Sequence, residues 1–216
     1  MRLDSITLEG MLPRVFVSES IPDSEIWRST ATFRRGESYL VEATSGGGKS
    51  SMCAYIYGAR TDFEGKLLFN GVSSTNFDMA RWQKLRRGNI AYLPQDLMLF
   101  PELTALENIR LKNGLTGYAS DSKIEGWLER LGIASRKDYP AGRMSVGQQQ
   151  RVALIRSLCQ PFDFILLDEP VSHLDEQNNR IAAEIIEEEA KALGAGIIST
   201  SVGNHLLLHY DKTTHL

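Results

Sequence analysis

The fold of this chain is decided by residues 38–51, which read Ser38-Tyr39-Leu40-Val41-Glu42-Ala43-Thr44-Ser45-Gly46-Gly47-Gly48-Lys49-Ser50-Ser51. An apolar run, three glycines and a lysine in this order predict a strand, a phosphate-binding loop and a helix. Glycines let successive backbone N–H groups point at one anion, and the helix beginning near Lys49 adds the positive end of its dipole. Lys49 is expected to reach the β- and γ-phosphates of a nucleotide, and Ser50 to place its hydroxyl on magnesium.

The loop departs at one position from the pattern G-x-x-x-x-G-K-[ST], because Ala43 stands where the first glycine belongs. The remainder, Gly48-Lys49-Ser50, is intact. The alternative is a flexible glycine loop beside a surface lysine. The apolar strand before the loop and the helical pattern after it favour phosphate binding.

Composition limits the class of protein. The chain has 216 residues, of which 42% are hydrophobic, and a net charge of −3. This charge gives no electrostatic reason to expect nucleic acid as a partner. Cys53 and Cys159 lie in apolar helical patterns without metal-ligand spacing, so reduced, buried thiols are expected. With no targeting segment and no apolar run long enough to cross a bilayer, we expect a cytoplasmic chain that does not itself span the membrane.

Hydrophobic periodicity predicts alternating strands and helices. Strands are expected at 2–9, 14–17, 31–33, 39–43, 65–71, 90–95, 162–170 and 197–200. Helices are expected from the phosphate-binding loop to Gly58 and at 103–111, 121–131, 146–158 and 176–193. The strands at 31–33 and 39–43 are predicted to form a hairpin, and Asp121 or Ser122 to cap the helix at 121–131.

A second chemical landmark is the apolar strand that ends in Asp168-Glu169. Carboxylates at the C-terminal end of a buried strand lie at the edge where parallel sheets bind ligands. Asp168 is expected to hold magnesium, usually through water, and Glu169 to polarise a water for attack on the γ-phosphate. The alternative is an acidic strand end that caps a turn before Pro170.

A third landmark lies at residues 143–151, where Ser145 and Gly147 stand at the start of a helix. Backbone amides at a helix N-terminus form an anion site. The alternative is an ordinary helix with Ser145 as its cap. One γ-phosphate needs two separate helix N-termini only if they close on it from opposite sides.

The order of these motifs resembles that of the ATP-binding cassette (ABC) ATPases along nearly the whole chain. Residues 43–51 resemble the Walker A loop, Gln95 the Q-loop glutamine, 144–148 the LSGGQ signature, 165–169 the Walker B strand and 172–175 the D-loop. Residues 99–109 resemble the family segment beside the groove for a transmembrane partner. Gln95 would sense magnesium and the attacking water, and Asp175 would help communication between sites.

The resemblance implies an α/β fold with a P-loop NTPase core, a mixed β-sheet, an N-terminal antiparallel part and an inserted helical subdomain. Residues 1–216 would be one ABC domain, with 1–95 and 143–216 as the nucleotide-binding core and 96–142 as the helical subdomain. It implies a head-to-tail dimer, either homo- or heteromeric, with ATP and Mg²⁺ at the interface. A membrane-spanning partner subunit would place the protein on the cytoplasmic face of a membrane.

The resemblance also assigns site residues. ATP would be held by one subunit's Thr44, Ser45, Gly46, Gly47, Gly48, Lys49, Ser50 and Ser51 and by the other subunit's Ser145, Gly147 and Gln148. The metal would be served by Ser50, Gln95 and Asp168. The catalytic residues would be Glu169 as base, with Lys49, Gln95 and Ser201.

Two further departures bear on activity. Val146 replaces a glycine of the signature, and Ser201 stands where the family usually has a histidine that contacts the γ-phosphate. Removing one such donor commonly costs about 10²- to 10³-fold in rate, so hydrolysis is expected to be slow. His205 would substitute only if the loop is longer than aligned; otherwise it is a capping or packing residue.

Two questions stay open in the sequence. Phe16 and Trp27 are both candidates for stacking on adenine, and both also suit a core role. The principal hypothesis is a transport-coupled ATPase; the alternative is an ATP-gated dimerisation module with little hydrolysis. A simple nucleotide kinase would have no reason to carry the signature segment.

Overall fold

The computed structural model describes residues 2–18 and 24–216. The strands are β1 (Ser5–Pro13), β2 (Thr30–Arg34), β3 (Ser38–Glu42), β4 (Phe63–Phe69), β5 (Val72–Ser73), β6 (Ile90–Leu93), β7 (Phe164–Asp168), β8 (Gly196–Ser201) and β9 (Lys212–His215). The helices are α1 (Lys49–Tyr57), α2 (Met79–Gly88), α3 (Ala105–Asn113), α4 (Asp121–Arg130), α5 (Val146–Leu158) and α6 (Glu176–Leu193). The predicted α/β fold is confirmed.

The strands form two separate sheets. An antiparallel sheet has the order β2-β1-β4-β5, and a purely parallel sheet has the order β6-β7-β8-β3-β9. The antiparallel part predicted at the N-terminus is therefore a sheet of its own. In the parallel sheet the strand ends that precede the phosphate-binding loop and the two carboxylates lie at the same edge, which is where such sheets bind ligands.

The hairpin predicted for 31–33 and 39–43 is wrong. Strand β2 pairs with β1, whereas β3 pairs with β8 and β9, so the chain changes sheets between them. Gly36 allows the turn with a φ of 81°. The reason is burial: Tyr39, Leu40 and Val41 form a continuous buried run that suits the interior of a parallel sheet better than an antiparallel edge.

A second local prediction is also wrong, since residues 14–17 do not form a strand. Strand β1 already extends to Pro13, beyond a bulge between Glu9 and Leu12, and pairs with β4 there. The chain then turns through a short 3-10 helix, Arg14–Phe16. Val15 and Val17 are exposed while Phe16 packs against the core, a contact that the 3-10 turn makes without strand pairing.

Several helix ends follow the sequence signals. α5 and α6 have the predicted bounds, and α1 ends at Gly58 in the left-handed conformation. The cap of α4 is Ser120, whose side chain accepts a hydrogen bond from the Lys123 N–H, and not Asp121 or Ser122. Residues 96–142 contain α3, α4 and the short 3-10 helix Ala134–Arg136, and a second 3-10 helix, Ala141–Arg143, extends across their end. Their assignment as a separate helical subdomain stays a prediction.

The core lies on both faces of the parallel sheet. Successive residues of β7 point to opposite faces, so Phe164 and Leu166 join one buried cluster with α1 and the antiparallel sheet. Ile165 and Leu167 join the other cluster, with α3 to α6. Strand β7 is thus buried on both sides, which fixes the position of the carboxylates that follow it.

Both cysteines are free and buried, as predicted. Burial raises the pKa of the Cys159 thiol to about 12 and that of Cys53 well above its usual value. Within the described residues, no helix combines the length and apolar character needed to cross a membrane.

Candidate functional site

The phosphate-binding loop joins β3 to α1 with the backbone shape expected of its glycines. Gly46 and Gly48 have φ angles of 85° and 93°, in the region that residues with a side chain rarely adopt. Gly48 is the residue immediately before α1. Lys49 begins the helix with only 4% of its surface exposed, and its ammonium donates to the Thr44 carbonyl at 3.1 Å. Thr44, Ser45 and Gly46 are exposed on the loop.

Both aromatic candidates pack against this loop. The Trp27 Nε1–H donates to the Gly47 carbonyl at 3.0 Å, and the ring is only 3% exposed. A Cβ at Gly48 would meet the rings of both Phe16 and Trp27 at 3.1 Å. The Trp27 ring therefore supports the loop from within the core, while Phe16, which is half-buried, stays a candidate for adenine stacking.

Asp168 lies at the end of β7 and is almost fully buried. Its Oδ1 accepts a hydrogen bond of 2.9 Å from the Thr200 hydroxyl on the neighbouring strand β8. The pKa of Asp168 is raised overall, chiefly by burial and also by the Glu169 carboxylate. Hydrogen bonds from Ser50 and Thr200 and the charge of the Lys49 ammonium oppose this shift. The two motifs identified in sequence are thus in electrostatic contact.

Glu169 follows directly, with its backbone in the left-handed region at a φ of 51°. Its N–H donates to the Thr200 hydroxyl at 3.2 Å. Its Oε1 lies 3.6 Å from the Lys49 Nζ, and the side chain is 19% exposed. A carboxylate held beside the lysine of a phosphate-binding loop, with access to solvent, is placed to accept a proton from water.

Gln95 follows β6 and reaches the same place. The Ser50 hydroxyl donates to Gln95 Oε1 at 3.2 Å. Ser50, Gln95 and Asp168 therefore offer only oxygen ligands, which magnesium prefers. Across residues 2–18 and 24–216 no three acidic, histidine or cysteine side chains form a metal cage. One carboxylate with a hydroxyl and an amide fits an ion that takes its other ligands from water and phosphate.

The signature segment is arranged differently. Ser145 caps α5 by accepting from the Gln148 N–H at 3.3 Å, and the Gln148 side chain accepts from the Ser145 N–H at 3.1 Å. This is a complete capping box. Val146, beside the cap, is 49% exposed. In the described parts of the chain, no hydrogen bond or ion pair links Ser145, Gly147 or Gln148 to the phosphate-binding loop.

Gln150 contributes a link that sequence reasoning missed. It is 1% exposed, and its side-chain amide donates to the Glu169 carbonyl at 3.3 Å and accepts from the His173 N–H at 3.0 Å. A Cβ at Gly147, one turn earlier in α5, would lie 2.8 Å from the His173 carbonyl. The signature helix, the end of the acidic strand and the 172–175 segment are therefore packed as one unit. Its sequence signal was a glutamine on the inward face of α5.

Arg60 was also missed. It donates to the Ser51 hydroxyl at 2.9 Å and forms a two-point ion pair with Asp62. The guanidinium also lies over the Tyr55 ring. Arg60 thereby fixes the hydroxyl of Ser51, the last residue of the 43–51 segment. It lies outside that motif in the sequence, and no recognisable pattern connects the two.

Ser201 is buried at the end of β8, and its carbonyl accepts from the Ala43 N–H at 3.2 Å. Its hydroxyl donates to the Asn204 carbonyl at 2.8 Å. His205 is exposed, and its ring lies edge-on to Tyr210. Among the described residues it has no hydrogen bond or ion pair to Lys49 or Glu169, so nothing in the structure favours it as a substitute histidine.

Comparisons with known proteins identify the family of this chain. A family model described as "ABC transporter" matches residues 28–172, more than half of the chain. This chain belongs to the ABC transporter family. The matched residues include the phosphate-binding loop, Gln95, the signature segment and the acidic pair, whereas Ser201 lies beyond them.

Individual members of the ABC transporter family are similar over most of their length. The ABC transporter ATP-binding protein YbbA of Escherichia coli K12 is 32% identical over 85% of this chain and 82% of its own. The lipoprotein-releasing system ATP-binding protein LolD of Shewanella oneidensis is 30% identical over 82% of this chain and 79% of its own. A solved dimeric structure of MJ0796, a bacterial ABC transporter cassette, superposes with a TM-score of 0.75 at 26% identity, covering 91% of this chain and 87% of that one.

Proposed function

We propose that this ABC ATPase binds and hydrolyses MgATP as a head-to-tail dimer and powers transport through a membrane-spanning partner subunit. The observation that carries the proposal is the convergence of Lys49, Ser50, Gln95, Asp168 and Glu169 at one edge of the parallel sheet. A buried lysine at a helix N-terminus suits a polyphosphate, and two adjacent carboxylates suit a metal and a water.

The proposed roles follow from the contacts. Glu169 accepts a proton from the attacking water, and Lys49 stabilises charge on the γ-phosphate. Ser50, Gln95 and Asp168 would hold magnesium, which would neutralise phosphate charge when bound. Thr44 to Gly48 present backbone amides to the phosphates, and Ser51, held by Arg60, adds a hydroxyl.

Dimerisation accounts for the signature segment. Ser145, Gly147 and Gln148 stand at an exposed helix N-terminus that has no connection to the chain's own phosphate-binding loop in the described residues. A second subunit, identical or different, would bring its nucleotide to this helix end. The similar cassette MJ0796 is described as dimeric, which supports this arrangement.

A groove beside residues 99–109 supports a membrane partner. It has a volume of about 290 Å³ and is lined in part by Tyr57, Tyr92 and Pro94. Four large apolar side chains on its rim are at least half exposed: Met98, Phe100, Leu111 and Leu115. Exposed apolar clusters of this kind mark interaction sites. We propose that a cytoplasmic segment of the transporter binds here, which places the chain peripherally on the membrane.

An alternative is an ATP-gated dimerisation module with little hydrolysis. The observation that favours it is Ser201, whose hydroxyl is already donated to the Asn204 carbonyl. A hydroxyl has one proton, so Ser201 must break this bond before it can donate to a phosphate. Nucleotide binding and dimer formation do not need that donor.

Phosphate release by the purified protein with MgATP tests the proposal, with dimerisation followed by light scattering. We expect turnover above that of Glu169→Gln, and a gain of about 10²-fold for Ser201→His because it adds a transition-state donor. Glu176→Gln, on the exposed first turn of α6, is the matched control and should leave turnover unchanged.

Each result separates the two functions. If neither wild type nor Ser201→His hydrolyses ATP but both form ATP-dependent dimers, the transport-coupled ATPase is contradicted and the dimerisation module is supported. Absence of both turnover and ATP-dependent dimers would contradict both functions for the isolated chain.

A further inference from the structure

We propose that Thr200 is a positioning residue that sets the geometry of the magnesium ligand Asp168 and the base Glu169 together, through one hydroxyl. The inference rests on the proposed function, because it gives these two carboxylates their roles. Thr200 lies on β8 directly opposite Asp168 in the parallel register, and its side chain is fully buried. It has no contact with a nucleotide in the proposed scheme.

The direction of both hydrogen bonds is fixed by chemistry. The Glu169 backbone N–H can only donate, so the Thr200 oxygen accepts it at 3.2 Å. The single hydroxyl proton is then directed to Asp168 Oδ1, 2.9 Å away. The Asp168 carboxylate is therefore oriented by the Thr200 hydroxyl at Oδ1, and the Ser50 hydroxyl lies beside the same carboxylate.

The backbone at Glu169 explains why this anchor matters. The ladder between β7 and β8 ends with the pair of Asp168 and Thr200, so the next N–H has lost its regular partner. The chain then turns through a left-handed conformation at Glu169, which is rare for a residue with a side chain. The Thr200 hydroxyl supplies the missing acceptor and holds the turn that aims Glu169 at Lys49.

Partners that orient metal ligands typically change metal affinity or activity by about 10- to 100-fold when they are removed. We expect this loss for Thr200→Val, which keeps the branched shape but lacks the hydroxyl. Thr200→Ser keeps the hydroxyl and should recover most of the loss. Ser199→Ala is the matched control, since it removes a buried hydroxyl of the same strand that does not bond to Asp168 or Glu169.

The test measures Mn²⁺ binding by electron paramagnetic resonance in the presence of ATP, on the full chain at low temperature. ATP binding without metal and the thermal unfolding midpoint are measured on the same four proteins. We expect Thr200→Val to lose Mn²⁺ affinity by about 10- to 100-fold with metal-free ATP binding unchanged. In steady-state hydrolysis it should lower kcat with little change in KM.

Three results would overturn the role of Thr200: Mn²⁺ affinity of Thr200→Val equal to wild type, an equal loss of metal-free ATP binding, or no recovery in Thr200→Ser. The Mn²⁺ measurement does not depend on turnover. If the wild-type chain fails to hydrolyse ATP but the Mn²⁺ pattern is as expected, the proposed hydrolysis fails while the positioning role stands.

Discussion

The two helix N-termini of this protein, at Lys49 and at Ser145, differ in how their polar groups are satisfied. Around Lys49, side chains from distant parts of the sequence meet, including Gln95 and Glu169. Around Ser145, the cap is closed by Gln148, three residues away. The first is a site that folding assembles within one chain. The second is a finished local structure with an outward face, which needs another molecule to become part of a site.

The difference has a physical origin. The phosphate-binding half depends on strand register, because β3, β7 and β8 are parallel neighbours that end at the same edge. At the signature segment, local capping satisfies the polar groups of the helix N-terminus, while Gly147 and Gln150 pack the same helix against the 172–175 segment. Folding of the core therefore fixes the distance from Lys49 to Glu169, whereas in residues 2–18 and 24–216 the signature residues Ser145 and Gln148 make no hydrogen bond or ion pair to the phosphate-binding loop.

The substitution Ser145→Asp should distinguish the two helix N-termini most clearly. Aspartate caps a helix as well as serine does, so the fold should be retained. A new carboxylate facing a partner-held triphosphate should cost several kcal/mol, or at least about 100-fold in hydrolysis, because like charges are brought together. Binding of a fluorescent ATP analogue to the monomer should stay unchanged.

The matched control is Ser120→Asp, the same change at the cap of α4. It should leave hydrolysis at the wild-type rate. Equal losses of hydrolysis in the two variants would indicate a general effect of charge. Weaker ATP binding by the Ser145→Asp monomer would contradict the claim that the signature segment takes no part in its own chain's phosphate site.

A smaller effect, on stability, is expected where the signature helix packs against the 172–175 segment of the same chain. Gly147→Ala would place a Cβ 2.8 Å from the His173 carbonyl, which is backbone and cannot rotate away. We expect a loss of about 1–3 kcal/mol in the free energy of unfolding from this overpacking, measured by urea denaturation.

Gly126→Ala supplies the comparison, since a Cβ there meets nothing within 4 Å in the middle of α4. It should stabilise the protein by about 0.5–1 kcal/mol, because alanine favours helix more than glycine. If Gly147→Ala were also stabilising, the close packing of the signature helix on the 172–175 segment would be wrong.

Much of the fold could be predicted from the sequence because its signals are local. Glycine after α1 and α6, and continuous apolar runs at β3 and β7, indicate ends and burial directly. The predicted hairpin failed because a short glycine turn fits both a hairpin and a change of sheet. Helix α2 and strand β9 were not predicted; β9 reads Lys-Thr-Thr-His, with little apolar character at the sheet edge.

The roles of the site residues stay predictions, but some of their contacts could be anticipated from the sequence. Lys49, Asp168 and Glu169 stand in recognisable local patterns. Thr200 and Gln150 do not, because their importance comes from register and helix packing that place them beside the carboxylates. A hydroxyl on the strand paired with the acidic strand would have been the signal for Thr200, but strand order was needed to see it.

The most direct test of a site shared between two chains is complementation. Glu169→Gln impairs the site around the phosphate-binding loop, and Ser145→Asp impairs the signature segment. Each variant alone should hydrolyse ATP very slowly. Mixed in equal amounts before MgATP is added, they should recover up to about a quarter of the wild-type rate, because random pairing leaves one intact site in each mixed dimer. A mixture no faster than the sum of the two variants, at any ratio, would contradict a site formed across the dimer.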